Sequence, residues 1–375
     1  EEIDSEYINH IKELSTVSSI DSEIVRSLKI VFTPLHGTGN KLVRRILKEV
    51  GFENVTVVTE QEMPDPDFST VKSPNPEEKE AFDIALKIAK KIDADIIIGT
   101  DPDCDRLGLV TKNPEGKYII LTGNQLGCLM LEYILSRKSM TGELRKGYYA
   151  VKTIVTTEMA REITSSFGVE LIDVLTGFKF IGEKIKELES DKNREFLFGF
   201  EESYGYLAGT FVRDKDGVIA SMLAAEVAAF YKSKGMTLYE GLEDLFKRYG
   251  YYLVDLKGIS LEGIKGLEKI KRTMEKLRKV KPKYFGSFKV CAIRDYLAGY
   301  RYCINEEEPL MLPKSDVLFF EMQEGAWFCV RPSGTEPKLK IYFGVKGESM
   351  EQAQDKLNSF TDNVMSTILE LIDNC

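Results

Sequence analysis

The sequence predicts an α/β protein in which two similar βαβαβ domains are followed by a smaller α+β domain. Short apolar, β-branched segments alternate with segments whose apolar residues recur at helical spacing, and this order occurs twice. After about residue 250 the pattern changes to closely spaced strands and one long amphipathic helix. With 375 residues, 43% of them hydrophobic, the chain is too long for one ordinary core. We therefore assign the domains to residues 1–122, 123–250 and 251–375.

The first repeat reads as three strands that alternate with two helices. Its predicted elements are a strand at 28–33, a helix through 42–50, a strand at 55–58, a helix at 81–92 and a strand at 96–98. The breaker Pro74-Asn75-Pro76 precedes the second helix. This order implies parallel strands that are joined by right-handed crossovers.

The second repeat has the same order, whereas the third domain differs from both. The second repeat contains strands at 149–155, 169–174 and 196–200, with helices at 157–167 and from Lys179 onwards. The third domain contains strands near 287–293, 317–322, 326–331 and 338–345, and then a helix from Met350 to Ile372. In both repeats the last strand ends in an acidic loop, and ligands of open parallel sheets bind outside the carboxyl ends of the strands. These two loops are therefore the first candidates for a site.

Composition narrows the class of protein. The lack of a long apolar run argues against a membrane-spanning protein, and the net charge of -9 argues against general nucleic-acid binding. The cysteines are scattered without a CxxC pair, which is typical of reduced thiols and predicts a cytoplasmic location. The chain opens with Glu1-Glu2-Ile3-Asp4 and without an initiator methionine, so we expect it to be cut from a longer protein.

The strongest local signal is an acidic loop directly after the strand at 96–98. Asp101, Asp103 and Asp105 stand at alternate positions, and three carboxylates in one tight loop repel each other unless a cation neutralises them. An EF-hand is excluded, because Arg106 stands where that loop needs glycine and Lys112 where it needs the bidentate glutamate. Three carboxylates leave room for a phosphate oxygen, which suits Mg²⁺ as a Lewis acid in phosphoryl transfer. The simpler alternative is a solvated acidic turn.

A second signal follows a predicted strand of the third domain. In the run at 331–337, Arg331 is followed by Ser333, Gly334 and Thr335. A guanidinium, two hydroxyls and a glycine that frees backbone N–H groups can hold a dianion without a Walker lysine. We expect this loop to hold a phosphate that is not being transferred. A plain β-turn is the alternative.

A third signal ends the last strand of the second repeat, where Glu201 and Ser203 lie in the run Glu-Glu-Ser-Tyr-Gly. A carboxylate beside a hydroxyl accepts and donates the hydrogen bonds that vicinal sugar hydroxyls need, although a helix N-cap would have the same residues. Lys179, at a predicted helix start on the same sheet edge, could contact phosphate or serve as an acid or base. A surface lysine is the alternative for Lys179.

With these three loops in this order, the chain resembles the α-D-phosphohexomutase superfamily, the phosphoglucomutase and phosphomannomutase family. The run Thr33-Pro34-Leu35-His36-Gly37 is a supporting match, and the resemblance extends from about residue 20 to the C-terminus. Pro102 and Cys104 depart from the family's commonest acidic loop, but neither substitution removes a ligand. The Glu-Glu-Ser-Tyr-Gly form is similar to the phosphoglucomutase and phosphopentomutase-like branches, which favours a glucose-type substrate.

The resemblance implies a role for each loop. Asp101, Asp103 and Asp105 would bind Mg²⁺, with Arg106 next to the transferring phosphate. Sugar hydroxyls would bind to Glu201 and Ser203. The distal phosphate loop would consist of Arg331, Ser333, Gly334 and Thr335. The implied substrates are a hexose phosphate and a hexose bisphosphate, which are interconverted between 1-phosphate and 6-phosphate forms.

The family's reaction also needs a phosphoserine, which lies in a Thr-Ala-Ser-His-Asn-Pro type loop of a first domain. No such loop occurs in these residues, since Ser73-Pro74-Asn75-Pro76 lacks the histidine and reads as a turn before a helix. We therefore expect the N-terminal phosphoserine domain to be missing from this chain, which should bind phosphosugar weakly and turn over nothing.

Two other classes remain open from the sequence. A strand followed by Asp101-Pro102-Asp103 is also similar to the haloacid-dehalogenase phosphatases, in which the first aspartate is the nucleophile. That interpretation leaves the Arg331 loop unexplained. The second alternative is a non-catalytic sugar-phosphate sensor.

Overall fold

The computed structural model describes residues 2–303, 306–334 and 336–374, and the chain forms two compact units. The first unit ends at Tyr249 and the second begins at Gly250. The first contains two α/β sheets and the second contains one sheet with helices, so the predicted fold class is confirmed. No helix in the described ranges has the length and apolarity that crossing a membrane requires.

The first sheet of unit 1 has the strand order β2–β1–β3–β4–β5. Its strands are β1 (Ile30–Thr33), β2 (Val55–Val57), β3 (Ile96–Thr100), β4 (Leu107–Lys112) and β5 (Tyr118–Leu121). The helices before and between them are α1 (Glu2–Leu14), α2 (Ser22–Ser27), α3 (Gly39–Glu49) and α4 (Asp83–Ile92). The predicted βαβαβ unit is present, since β1 pairs in parallel with β2 and β3. The sheet then continues through antiparallel pairs that the sequence did not predict.

The second sheet of unit 1 has the strand order β7–β6–β8–β9. Its strands are β6 (Tyr148–Thr153), β7 (Glu170–Val174), β8 (Glu195–Glu201) and β9 (Gly205–Ala208). The helices are α5 (Gly123–Met140), α6 (Met159–Ser166), α7 (Phe178–Leu188), α8 (Gly217–Ser233) and α9 (Leu238–Tyr249). Strand β6 pairs in parallel with β7 and β8, and β9 adds an antiparallel edge. The two sheets of unit 1 are therefore built on the same plan.

Helix α8 joins the two sheets of unit 1. Its residues from Gly217 to Tyr231 are all buried, which a helix that is apolar on every side requires. It packs on α3, β3 and β4 of the first sheet and on α5 and β9 of the second. Asp216 caps its first turn, because one carboxylate oxygen accepts the N–H groups of Val218 and Ile219 at 2.9 Å each.

Unit 2 is an antiparallel sheet covered on one side by helices. Its helices are α10 (Gly263–Val280) and α11 (Met350–Asp373). Its strands are β10 (Tyr251–Ser260), β11 (Tyr284–Phe285), β12 (Phe288–Asp295), β13 (Tyr300–Tyr302), β14 (Glu307–Pro309), β15 (Leu318–Met322), β16 (Trp327–Pro332) and β17 (Lys338–Gly347). The core is aromatic: the Phe320 and Phe328 rings stack at 4.4 Å, and Phe360 of α11 packs on Phe328 and Phe343. This core fixes the end of β16, where the predicted phosphate loop begins.

Candidate active site

The aspartate loop, residues 101–106, connects β3 to β4 and is tightly supported from two sides. The Thr38 N–H donates to the Pro102 carbonyl at 2.8 Å, and the Gly217 N–H at the start of α8 donates to the Cys104 carbonyl at 2.9 Å. A Cβ on Gly37 would lie 2.5 Å from the Pro102 backbone, so only glycine allows this close approach. The conformation of the loop is therefore set by residues far from it in sequence.

The three aspartates of this loop lie close enough together to share one cation. One carboxylate oxygen from each of Asp101, Asp103 and Asp105 lies within 4.8 Å of the others. Asp101 is 8% exposed, and its Oδ1 accepts the N–H groups of Asp105 and Arg106 at 3.0 and 2.8 Å. Burial, together with the neighbouring charges of Asp105 and Asp103, raises the pKa of Asp101 to about 7. An all-oxygen set with excess negative charge fits a hard divalent cation.

Two side-chain cations lie beside the aspartates. The Lys215 ammonium is 2.8 Å from Asp105 Oδ2. Burial lowers the pKa of Lys215, but the hydrogen bond and charge of Asp105 outweigh burial, so the pKa is raised. The Arg106 Nε is farther away, at 4.0 Å from Asp101 Oδ2 and 3.9 Å from Asp105 Oδ1. Both cations partly offset the repulsion between the carboxylates.

The turn that the sequence predicts to bind sugar, residues 201–205 and called the sugar turn below, joins β8 to β9 and lies against the aspartate loop. The Leu107 N–H donates to the Tyr204 carbonyl at 3.1 Å, and Arg106 forms an isolated antiparallel bridge with Gly205. The carboxyl ends of β3 and β8 therefore meet. The structure therefore brings the turn that contains the predicted residues Glu201 and Ser203 into contact with the aspartate loop.

Glu201 is a buried carboxyl group with an unusual environment. It is 7% exposed, and burial followed by the charge of Glu202 raises its pKa to about 7, against the opposing effects of Ser203, Lys215 and Arg106. Glu202 itself accepts hydrogen bonds from the Thr153 and Thr156 hydroxyls at 3.1 and 3.2 Å. A carboxyl group with a pKa near neutrality can exchange a proton under physiological conditions.

Lys179 lies at the start of α7, as the sequence predicted, but it is exposed. Its ammonium lies 4.9 Å from the Phe180 ring centroid, and it forms no hydrogen bond or ion pair with another residue in the described part of the chain. The structure thus does not bring Lys179 into contact with the aspartate loop or the sugar turn.

In unit 2 the predicted phosphate loop follows β16. Arg331 stands directly opposite Lys340 of β17, and like charges at paired positions of a sheet repel each other. The Ser333 N–H donates to the Lys338 carbonyl at 2.7 Å. Chain neighbours aside, no described residue has an atom within 4 Å of the position that a Cβ on Gly334 would take. Thr335 lies outside the described residues. A bound anion would relieve the repulsion between the two cations.

Family models match the chain over most of its length. The phosphoglucomutase/phosphomannomutase α/β/α domain II matches residues 5–116, domain III matches 122–249, and the C-terminal domain of the same family matches 267–357. The chain belongs to the phosphoglucomutase/phosphomannomutase family. This family assignment does not favour the haloacid-dehalogenase alternative.

Individual relatives agree with the family models. The phosphoglucomutase of Staphylococcus haemolyticus is 36% identical over 350 residues, which cover 92% of this chain. The chain spans 63% of the length of that relative. The solved structure of the Paramecium phosphoprotein pp63/parafusin, a phosphoglucomutase, is 17% identical with a TM-score of 0.67, and the match covers 98% of this chain and 62% of that one. An Aspergillus fumigatus N-acetylphosphoglucosamine mutase in complex with GlcNAc-6P and magnesium is 14% identical with a TM-score of 0.51, covering 95% of this chain and 69% of that one.

The supporting family motif at 33–37 is a structural element of this site. His36 is buried, and its ring nitrogens contact the Met63 carbonyl at 2.9 Å and the Thr70 hydroxyl at 2.8 Å. Leu35 and His36 both have positive φ angles, of 47° and 63°. The motif forms the turn that places Gly37 against the Pro102 backbone of the aspartate loop. His36 supports this turn through its contacts with Met63 and Thr70.

Sequence reasoning missed Lys215, which contacts the family's aspartate loop directly. Lys215 stands between Asp214 and Asp216, just before the apolar run of α8. An acidic residue before such a run is a helix-start signal. This signal predicts that α8 begins next to Asp216. It therefore places Lys215 in the loop that directly precedes the helix.

Proposed function

We propose that this chain supplies the cation, sugar and phosphate sites of a phosphohexomutase. The complete enzyme would interconvert a hexose 1-phosphate and a hexose 6-phosphate through a phosphoserine and a hexose bisphosphate. The observation that carries the proposal is the junction of the aspartate loop with the sugar turn, through Leu107 and Tyr204. It sets a cation-binding carboxylate cluster beside a carboxyl and hydroxyl pair suited to a sugar.

In this proposal Asp101, Asp103 and Asp105 hold Mg²⁺, which when bound supplies Lewis-acid polarisation of a phosphate oxygen. The solved complex of the Aspergillus fumigatus mutase contains both GlcNAc-6P and magnesium, which is consistent with a site that binds a sugar phosphate together with Mg²⁺. Arg106 then lies next to the transferring phosphate and offers N–H donors to its oxygens.

Glu201 and Ser203 bind sugar hydroxyls in this proposal. Because the pKa of Glu201 is raised to about 7 by burial and by Glu202, this carboxyl group can also hold or accept a proton from a sugar hydroxyl. Lys215 stabilises negative charge beside Asp105. Lys179 remains a proposed acid or base, supported by its position at the start of α7 but by no contact to these groups.

Arg331, Ser333, Gly334 and Thr335 hold the distal phosphate in this proposal. The repulsive pair of Arg331 and Lys340 supports an anion site at the end of β16. A glucose-type sugar is favoured by the names of the staphylococcal and Paramecium relatives.

The phosphoserine is proposed to lie outside these 375 residues, since they contain no Thr-Ala-Ser-His-Asn-Pro type loop. We therefore expect this chain by itself to bind ligands without turning over substrate. A cytoplasmic location is part of the same proposal and is supported by the scattered cysteines.

Calorimetric titration with Mg²⁺ tests the cation site. We expect Asp103→Ala to abolish or strongly weaken binding, because one of three oxygen donors is lost. Asp67→Ala, which removes an exposed aspartate from another loop, is the matched control and should bind as the unchanged chain does. Equal affinity in the Asp103 and Asp67 variants would remove the aspartate loop from the site.

Titration with glucose 1-phosphate tests the phosphate loop. Arg331→Ala should weaken binding by about 2 kcal/mol, because a charged hydrogen bond to phosphate is lost. Lys279→Ala removes the same charge from an exposed position of unit 2 and should leave the dissociation constant unchanged. If the two variants bind alike, Arg331 does not contact the phosphate.

A further inference from the structure

The turn at 74–77 lies against the aspartate loop, and none of the roles above explains it. Sequence reasoning treated its Pro-Asn-Pro run only as a break before a helix. In the structure the Asn75 side chain accepts the Glu77 N–H at 3.1 Å, and the Asn75 carbonyl accepts the Glu78 N–H at 3.0 Å. The turn is thus closed by its own hydrogen bonds.

Packing fixes this turn against the strand that follows the aspartate loop. A Cβ on Gly108 of β4 would lie 2.4 Å from the Pro76 carbonyl oxygen, so the two backbones are in direct contact. Any larger residue at position 108 would push the turn away. The position of the next residue, Glu77, is therefore determined by the fold.

Glu77 uses this position to bind the guanidinium of Arg106. The Arg106 Nη1 lies 2.7 Å from Glu77 Oε1, whereas its Nε lies 4.0 Å from Asp101 and 3.9 Å from Asp105. Among the residues that the structure describes, the guanidinium thus makes one close ion pair, and that pair is with Glu77. The two aspartates sit at the outer limit of ion-pair distance.

We propose that Glu77 is a positioning residue, whose carboxylate holds the Arg106 guanidinium off Asp101 and Asp105 and so leaves their oxygens to a divalent cation. Three carboxylates without a cation attract any mobile positive charge, and a guanidinium forms bidentate pairs with carboxylates. A shift of about 1 Å would bring Arg106 into hydrogen-bonding range of both aspartates. Once there, it would compete with the cation.

The inference rests on the proposed cation site, and Mn²⁺ binding tests it without any turnover. Free Mn²⁺ is counted by electron paramagnetic resonance in titrations of the purified chain. We expect Glu77→Ala to weaken Mn²⁺ binding roughly threefold, the size expected for a partly exposed ion pair. Glu77→Gln keeps an acceptor oxygen for Nη1, so it should bind Mn²⁺ more nearly as the unchanged chain does.

A second background separates positioning from long-range electrostatics. If Glu77 acts through Arg106, then Glu77→Ala should have no further effect on Mn²⁺ binding in an Arg106→Ala chain. A loss that is equal in both backgrounds, or equal for the Ala and Gln variants, would mean that only the charge of Glu77 matters and would overturn the proposal. Unchanged affinity in Glu77→Ala would overturn it as well.

Two controls complete the experiment. Circular dichroism spectra and melting temperatures of the variants should match those of the unchanged chain, since Glu77 is partly exposed. Asp103→Ala must abolish or strongly weaken Mn²⁺ binding. If Asp103→Ala binds Mn²⁺ as the unchanged chain does, the proposed cation site is contradicted, and the proposed role of Glu77 with it. If Asp103→Ala weakens Mn²⁺ binding but Glu77→Ala does not, only the proposed role of Glu77 is contradicted.

Discussion

Two clusters of charged side chains lie at the carboxyl ends of the described strands of unit 1, and they differ in the ratio of positive to negative charges. In the lysine cluster, the fully buried Lys152 ammonium lies 2.9 Å from Glu158 and 3.2 Å from Asp173, and Arg161 binds the same two carboxylates. Two cations thus meet two anions. In the aspartate loop, three carboxylates share Lys215 and the more distant Arg106.

The pKa values follow this difference. Burial raises the pKa of Glu158, but the charges of Lys152 and Arg161 outweigh burial and lower it to about 2. At Asp101 burial is the largest effect and the neighbouring charges add to it, so the pKa rises to about 7. Removing one member of a neutralised cluster leaves an uncompensated charge, whereas a cluster with excess negative charge attracts an added cation. The comparison therefore supports the proposed cation site at the aspartate loop and a structural role for the lysine cluster.

Replacing the lysine of each cluster with methionine gives the sharpest contrast. Lys152→Met should lower the free energy of unfolding by about 3 kcal/mol, because Glu158 and Asp173 lose one of the two cations that they share and only Arg161 remains. Lys215→Met should change it by less than about 1 kcal/mol, because the Asp105 side chain is accessible to water. Urea denaturation followed by circular dichroism measures both. Similar losses for the two variants would break the comparison.

Two glutamates, Glu201 at the end of β8 and Glu158 just before α6, should make the stability of the fold change with pH in opposite directions. The folded pKa of Glu201, about 7, lies above its ordinary value of 4.5, so the folded state binds the proton more tightly than the unfolded state does. Stability therefore falls as pH rises from 4.5 to about 7. Glu201→Gln should remove that fall, a gain of up to about 3 kcal/mol at pH 7 and almost none at pH 4.

Glu158→Gln is the matched control for Glu201. The lowered pKa of Glu158 stabilises the folded state above its ordinary value near pH 4.5, and this contribution is lost as pH falls towards about 2. The variant should therefore be less stable than the unchanged chain at pH 7, and this difference should shrink steadily as pH falls from about 4.5 to about 2. Urea denaturation at several pH values measures both differences. The same sign for both glutamates at pH 7 would contradict the assignment of their environments.

The smallest expected effect concerns cation affinity. Lys215→Met should strengthen Mg²⁺ binding by roughly threefold, because a competing ammonium beside Asp105 is removed. The analogous Lys232→Met, at an ion pair with Asp95 outside the loop, should leave Mg²⁺ affinity unchanged. Calorimetry on the two variants decides whether Lys215 competes with the cation or supports its binding.

The sequence was most informative where one local rule fixes the outcome. The strands that end at Thr100 and Glu201 were predicted from apolar runs, and the rule that ligands bind at carboxyl ends then marked the loops of Asp101 and Glu201 as candidate sites. The antiparallel strands β4, β5 and β9 were missed. The crossover rule applies only to parallel pairs of strands. A short antiparallel strand can follow a tight turn without a connecting helix, so the alternation of strands and helices does not predict it.

The contacts between distant residues could not be predicted in this way. Lys215 meets Asp105, and Glu77 meets Arg106, across separations of 110 and 29 residues. Both contacts depend on how a loop closes on its support, such as the Pro76 backbone on Gly108. Periodicity carries no information about that geometry. A helix-start position likewise predicted where Lys179 lies in the chain but not the contacts of its side chain, which lies beside the Phe180 ring.

The hydrogen bond from Gly217 to the Cys104 carbonyl has a consequence for how such a protein can evolve. It joins the aspartate loop to the start of α8, a helix that packs on elements of both sheets. A larger side chain at the buried Ala224, in the middle of that helix, would force shifts in the close-packed surroundings, and a shift of α8 would move the Cys104 carbonyl that is bonded to it. If the three aspartates hold a divalent ion as proposed, its selectivity then depends also on buried residues that do not contact it, while all three aspartates stay the same.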